Sequence, residues 1–413
     1  MKKSIMKNKQ GFLRRLLLCL CAALLICSAA CAQTIVELGV DGWDSLGYDV
    51  TLPDGRMIFS GCVGEVGNYM NSKARLLCLN PDGTTSWEYL YPQEGSCSFS
   101  CAALMKDGTL AVYFEDAPHQ ETKEKKIVFF TMDGLPTGKE TELQLEDSAG
   151  KIIIGHILTA SGYMEQYMDA YGPADSDGYC TSFSDWDGNL LFQLDDQQPI
   201  LDISLIEEED GLVMIGREPG SLMNAAGTIT KIDFQGNTVW ETTVPFLNEV
   251  NEGVTMSGIK TSDGCYLAVL LERGLNAGSP DSIFTYALVK FSSTGRILWT
   301  NQESFDKRPE GGFSQVVEYN GKYVVCNNYN ALDYPIHYLW FDADGNELGV
   351  TEIQLRKKDL PRLGNKKKVE GFPGRMISTE AGLWQEYVCW CEASTHEKEL
   401  ASQDDVLIKI PEL

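Results

Sequence analysis

The chain has 413 residues, with 59 Asp plus Glu against 34 Lys plus Arg and a formal charge of −25. With 43% apolar and 23% charged residues, it is too apolar for a disordered chain and too charged for a multi-pass membrane protein. The acidity disfavours nucleic acid and anionic lipid as partners, because both would meet long-range repulsion.

The first segment reads as an address. Lys2, Lys3, Lys7, Lys9, Arg14 and Arg15 form a basic head with no acidic residue. An apolar run follows from Leu16 to Cys27, and then the small residues Ser28-Ala29-Ala30-Cys31-Ala32. That pattern predicts a secretory signal peptide over residues 1–32. The apolar run is short for a membrane span, which needs about 20 residues. Cleavage after Ala32 is the first expectation. The alternative makes Cys31 a lipidated N-terminus, although Ser28 stands where such signals carry an aliphatic residue. Either route places the protein in the extracellular space or cell envelope, and cleavage moves the charge to −31.

A turn signal ending in glycine and opening a strand recurs through the rest of the chain. Its glycines are Gly55, Gly108, Gly162, Gly211, Gly264, Gly321 and Gly382, spaced by 53, 54, 49, 53, 57 and 61 residues. A second turn follows the first six, at Gly83, Gly134, Gly188, Gly236, Gly295 and Gly345. Between the turns lie short strands rich in β-branched and aromatic residues, such as TITKIDF and YALVKF, with no sustained helical period. Four strands per unit, repeated seven times, predict an all-β, seven-bladed β-propeller with four-stranded blades. One domain then spans 33–413, with blades near 46–91, 97–145, 152–195, 200–245, 254–301, 312–355 and 374–411. The last unit lacks a fourth strand, and the spare N-terminal strand 34–38 (TIVEL) is expected to complete it and close the ring.

Three units share a stricter pattern at the second turn: Asn80-x-x-Gly83-x-x-x-Trp87, Asp233-x-x-Gly236-x-x-x-Trp240 and Ser292-x-x-Gly295-x-x-x-Trp299. With the preceding SDGCYLAVL and YALVKF segments, this resembles secreted bacterial propeller repeats. It is similar in a relaxed way to the quinoprotein-like superfamily, whose tryptophan docks on the neighbouring blade. The resemblance implies architecture shared by proteins of many functions. It implies docking roles for Trp87, Trp240 and Trp299, with Phe192 substituting in the third unit and no aromatic in the second and sixth. Full burial of such a ring would make its loss cost about 3–5 kcal/mol.

In an up-and-down blade, the first and third turns share one face of the disc. Here those are the tight glycine turns, so that face is expected to be plain. The opposite face collects the insertions at 63–73, 115–125, 169–177, 217–226, 272–284, 328–335 and 392–403, and is expected to bind. Candidates on it are Tyr69, Tyr171, Arg217, Arg273, Tyr329 and Tyr334, which offer flat apolar area with polar tips. The segment Arg356–Arg375 carries a net +6, and Lys366, Lys367 and Lys368 at its centre could dock an anionic polymer or simply be solvated.

Nine cysteines remain after the signal. Cys97/Cys101 and Cys389/Cys391 are evenly spaced, so each pair is expected to share a strand face as small buried fillers. Asp185-Trp-Asp187-Gly188-Asn189 and Asp342-Ala-Asp344-Gly345-Asn346 resemble calcium loops but lack the later ligands, and hairpin-turn chemistry explains them. The acidic run Glu207-Glu208-Glu209-Asp210 reads as a solvated end. No phosphate loop, dinucleotide fingerprint or Gly-x-Ser-x-Gly elbow occurs. The expectation is a monomeric, non-catalytic recognition or scaffold propeller for a protein or glycan, with no cofactor, no metal and no nucleic acid. A membrane link would come only through a lipid on Cys31. Two other readings stay open: an extracellular carbohydrate-active hydrolase or lyase using carboxylates at the channel mouth, and an envelope-assembly lipoprotein.

Overall fold

In the computed structural model, the described residues are 34–39, 43–65, 68–92, 95–116, 124–143, 151–169, 179–195, 204–217, 226–245, 251–274, 284–306, 313–327, 335–356, 359–360, 370–391 and 402–413. They form seven four-stranded antiparallel sheets, a seven-bladed β-propeller. Strand β1 (Ile35–Glu37) opens the chain. Blade 1 is β2 (Trp43–Thr51), β3 (Met57–Glu65), β4 (Asn68–Leu79) and β5 (Thr85–Leu90). Blade 2 is β6 (Cys97–Leu104), β7 (Thr109–Asp116), β8 (Lys125–Thr131) and β9 (Pro136–Glu142). Blade 3 is β10 (Lys151–Leu158), β11 (Gly162–Asp169), β12 (Tyr179–Asp185) and β13 (Leu190–Asp195). Blade 4 is β14 (Ser204–Glu208), β15 (Gly211–Arg217), β16 (Gly227–Asp233) and β17 (Thr238–Val244). Blade 5 is β18 (Asn251–Lys260), β19 (Tyr266–Gly274), β20 (Phe284–Phe291) and β21 (Ile297–Asn301), followed by a helical turn, α1 (Glu303–Asp306). Blade 6 is β22 (Phe313–Tyr319), β23 (Lys322–Asn327), β24 (Ile336–Phe341) and β25 (Glu347–Ile353). Blade 7 is β26 (Glu370–Thr379), β27 (Gly382–Cys391) and β28 (Ser402–Ile410), with β1 as its outer strand.

Burial follows position in the blade. Middle strands are covered on both faces by neighbouring blades, so β8 reads as a continuous buried run, Lys126 to Phe130. Outer strands are covered on one face and alternate, as β5 and β17 do. The apolar side chains meet in seams between blades: Ile58 and Leu76 with Phe114 and Phe130 between blades 1 and 2, and Phe59 and Leu77 with Trp384 and Leu407 between blades 7 and 1.

The expected tryptophan docking is present. Trp87 lies against Gly134 and donates through Nε1 to the Met132 carbonyl at 3.0 Å. Trp240 lies against Gly295, Trp299 against Gly345, and Phe192 against Gly236. Each ring covers the third-turn glycine of the next blade. Glycine is required there twice over: Gly345 has φ +82°, and a Cβ would sit 2.8 Å from the Trp299 ring. Blade 2 supplies no ring, and Gly188 has nothing packed where its side chain would be. At the closure Val36 takes the same place over Gly83.

The rings of Trp87, Trp240 and Trp299 are half-buried, so the full-burial penalty does not apply. Trp240→Ala is expected to cost about 2 kcal/mol. For a domain this size that is a fall in Tm of about 2–3 °C by calorimetry. An unchanged Tm would remove the docking role.

Two sequence expectations are corrected. Cys97 and Cys101 do not share a face: Cys97 packs in the seam between blades 1 and 2, whereas Cys101 packs in the seam between blades 2 and 3. A register shift between Phe99 and Cys101 inserts Ser100 as a bulge and inverts the alternation. The eight described cysteines form no disulfide. The acidic run is a solvated end only at Glu209 and Asp210. Glu207 accepts the Ser161 N–H and hydroxyl of blade 3 at 3.0 and 2.5 Å, and Glu208 accepts Lys260 Nζ and Tyr266 OH of blade 5 at 2.7 and 2.8 Å. Blade 4 is thus clamped to both neighbours by consecutive carboxylates.

The calcium-like turns behave as hairpins. Asp342 accepts the N–H groups of Asp344 and Asn346 at 3.0 and 2.8 Å and the Asn346 side chain at 2.9 Å, and Asp185 does the same with Asp187 and Asn189.

Candidate functional site

The first strand of each blade is innermost. β2 lies against β6, β18 against β22, and β22 against β26, and β26 returns to β2, so these strands wall an axial channel. An innermost strand leaves one backbone edge unpaired toward the axis, and bulges there re-aim side chains. Bulges occur in β2 at Asp49, in β6 at Ser100, in β22 at Ser314 and in β26 at Gly374-Arg375.

The β26 bulge is held by side chains from two blades. Glu386 accepts the Arg375 N–H at 3.0 Å and the Tyr48 N–H of blade 1 at 3.2 Å. Gln385 donates to the Gly374 carbonyl at 2.8 Å, and Gln315 of blade 6 donates to the same oxygen while accepting the Met376 N–H at 3.0 Å. A Cβ on Gly374 would meet the Glu386 carboxylate, so a larger residue here would displace the clamp. The clamp presents Arg375 with an exposed side chain on the innermost strand.

Asp49 stands across from it on β2. Its Oδ2 is sealed from solvent and has no hydrogen-bond partner. Burial pushes its carboxyl up to about 7, against the pull of the Ser60 hydroxyl, the Arg375 charge and the Ala102 N–H. Burial also raises Glu386, although the Arg375 and Tyr48 N–H groups favour its charged form. Cys101, on the next inner strand, is raised by burial and by the Asp49 charge, so it is held as a thiol.

A cavity of about 630 Å³ opens beside these groups. Its walls are the ends of four inner strands: Tyr48 and Thr51 of blade 1, Ile259–Ser262 of blade 5, Val317 and Glu318 of blade 6, and Met376–Ser378 of blade 7. Those ends adjoin the first glycine turns, so the cavity is the channel mouth on the face expected to be plain. Asp49 directly follows Tyr48 in this wall, and Arg375 directly precedes Met376. Hydroxyls dominate the polar lining. Tyr48 and Thr51 bond each other at 2.8 Å, and Glu318 is committed to the Ser262 N–H and hydroxyl, both at 2.6 Å.

A second polar group lies between blades 2 and 3. His156 stacks on Tyr113 with centroids 3.7 Å apart and an interplanar angle of 3°. It pairs across β10–β11 with Glu165, which accepts the Tyr167 hydroxyl at 2.7 Å. Burial, with Lys125 adding, pushes His156 down to about 4, so the ring is neutral at pH 7. None of these residues lines the channel-mouth cavity.

The residues expected to bind are not gathered by the described structure. Tyr171, Tyr329, Tyr334, Lys366, Lys367, Lys368 and Cys31 lie outside the described residues, as does most of each insertion apart from 63–73. Tyr69, Arg217 and Arg273 are placed by backbone alone on β4, β15 and β19. The 63–73 insertion is an extension of the β3–β4 hairpin, with Gly64 paired to Ser72 and Glu65 to Asn68. In the basic segment, Arg356 is paired with Asp359 at 2.9 Å, and Arg375 belongs to the channel. Asp49 and Arg375 were missed. A charged residue inside a first strand, and the Pro-Gly-Arg sequence 373–375 in particular, is the signal that marks a bulge.

No family model matches the chain, and comparison with curated proteins finds no match. Among solved structures it is similar to a protein of unknown function from Bacteroides caccae, at 13% identity and TM-score 0.36, covering 71% of this chain and 93% of that one. It is also similar to the β-propeller domain of the trilobed protease from Pyrococcus furiosus, at 8% identity and TM-score 0.47, covering 88% and 94%. A europium-containing methanol dehydrogenase aligns at 9% identity and TM-score 0.41, covering 92% of each chain. At these identities the likeness is one of fold alone, that of β-propellers.

Proposed function

We propose that this chain is a non-catalytic recognition propeller, exported from the cytoplasm, that takes a protein or glycan ligand at the axis of the ring. The cavity of about 630 Å³ at the channel mouth carries this reading. Its size is that of a binding pocket, and four blades contribute to it, so it exists only in the closed ring. Its lining suits recognition better than displacement chemistry. Hydrolysis by paired carboxylates needs two uncommitted acids. Glu386 and Glu318 are committed to N–H and hydroxyl donors, and the Ser60 hydroxyl and Ala102 N–H act on Asp49. The basic head, apolar run and small-residue exit of residues 1–32 support export.

The test is an array of glycans, peptidoglycan fragments and secreted proteins, with product analysis on every hit. Binding without turnover is expected, and Tyr48→Ala should weaken it about tenfold or more. Conversion of a bound glycan to product would replace this reading with the hydrolase or lyase.

A further inference from the structure

We propose that the seam between blades 2 and 3 opens in acid toward the insertion-bearing face, with His156 as the group that takes the proton. This goes beyond the recognition reading, because no residue of the seam lines the channel-mouth cavity. Toward the tight turns the seam is apolar and tied. Phe129 of blade 2 meets Trp186 of blade 3 edge-on with centroids 5.9 Å apart. Thr141 donates to the Trp186 carbonyl at 3.3 Å, and Lys106 donates to the Ser161 hydroxyl at 2.6 Å.

At mid-height the packing turns polar. His156 of β10 lies flat on Tyr113 of β7 and pairs across β10–β11 with Glu165. Tyr113 is fully buried and Glu165 is 5% exposed, yet Tyr113 Oη and Glu165 Oε1 have no hydrogen-bond partner. The imidazole makes no hydrogen bond to a described residue either. Buried polar atoms in that state are costly, and parting the blades would give each of them water. The ties below act as the hinge, and the stack is the contact that a proton disturbs.

The charges around the stack set the direction. They are Tyr113 and Glu115 of β7, Lys125 of β8 across from Glu115, Cys101 of β6, Glu165 and Tyr167 of β11, and Cys180 of β12. Burial, with Lys125 adding, holds His156 down at about 4, whereas burial holds Glu165 above its ordinary 4.5. As pH falls, the carboxyl is therefore neutral before the imidazole charges. The imidazolium then meets Lys125 with no counter-charge from Glu165. In an open seam His156 regains a value near 6.5, so the closing contribution present above that pH is lost toward pH 4. From His156 alone this favours opening by about a hundredfold at pH 4. Glu165 acts in the opposite sense, since its raised carboxyl favours the closed seam in acid.

The test reads the seam through Cys101, which packs in it, against Cys97 on the same strand, which packs between blades 1 and 2. The full chain is labelled with dithiodipyridine at pH 7 and pH 4, and each thiol is followed by mass spectrometry. The Cys101-to-Cys97 rate ratio is expected to rise in acid by about fivefold or more in the parent. It should rise about a hundredfold in Glu165→Gln, which removes the opposing carboxyl, and stay flat in His156→Phe, which keeps a stacked ring without a proton site. A ratio that is flat in the parent and in Glu165→Gln, or that rises equally in His156→Phe, would overturn the proposal. So would Cys97 and Cys101 becoming reactive together, which reports loss of the whole ring. Melting curves at pH 7 check that each variant folds. Should His156→Phe fail to fold, an NMR titration of the four histidines of the parent decides. One imidazole titrating near 4 supports the proposal, and all four near 6.5 would overturn it.

Discussion

Leu38→Asp is expected to destabilise the protein by about 4–5 kcal/mol, lowering Tm by roughly 5 °C in a scanning calorimeter. Leu38 is 1% exposed in the seam between blades 7 and 1, and its backbone ties the closure. Its N–H donates to the Asp405 carbonyl at 2.9 Å, and its own carbonyl accepts Arg75 Nη1 at 2.9 Å. Arg75 is itself buried and holds Glu88 at 2.7 Å. A carboxylate at position 38 would be desolvated among Phe59, Leu77 and Trp384, and the nearby Arg75 is already engaged by the Leu38 carbonyl and Glu88. The control is Leu298→Asp on the outer strand of blade 5, where the side chain is 42% exposed and the change should stay within about 0.5 kcal/mol. Equal effects at the two positions would mean that the N-terminal strand does not close the ring.

The second large effect concerns pH. A carboxyl with a folded pKa of about 7 and an ordinary value near 3.8 binds its proton more tightly in the folded state. Stability therefore declines as pH rises from about 4 to about 7, with a limiting slope near 1.4 kcal/mol per unit. Relaxation of the surroundings on ionisation moderates this, so the loss at Asp49 should total about 2 kcal/mol. Glu386 and Glu165, both raised by burial, act in the same direction. His156 acts in the opposite direction: pushed down to about 4, it contributes stability above pH 6.5 that is lost as pH falls toward 4. Asp49→Asn should leave Tm unchanged at pH 4 and raise it by about 2–3 °C at pH 8. A variant no more stable than the parent at pH 8 would show that Asp49 is not held in its neutral form.

Much of the fold was legible because its signals are local. A residue that must turn with positive φ between two strands is glycine wherever it falls, so Gly55, Gly83, Gly108 and their counterparts counted the blades. Docking was legible for a similar reason, since Trp240 stands four residues beyond Gly236 in its own hairpin. Its target, Gly295, belongs to the next repeat. The limits appear where one inserted residue changes the phase of a strand. Cys97 and Cys101 differ in face because Ser100 bulges, and nothing in their spacing shows it. Glu207 and Glu208 looked solvated because Ser161 and Lys260, their partners, lie in other blades.

By itself the sequence determined the count of blades, the aromatic docking and the strand that closes the ring. The first two are set within single hairpins that recur along the chain, and the third follows from the strand that the last unit lacks. Only the tertiary structure decided what the axis holds. Arg375 belonged to a basic segment and Asp49 to an ordinary strand until closure set blade 7 beside blade 1. Bulges interrupt both inner strands at these residues. The physical reason is that a ring brings its first and last units into contact, and a bulge reverses a side chain without changing the composition around it.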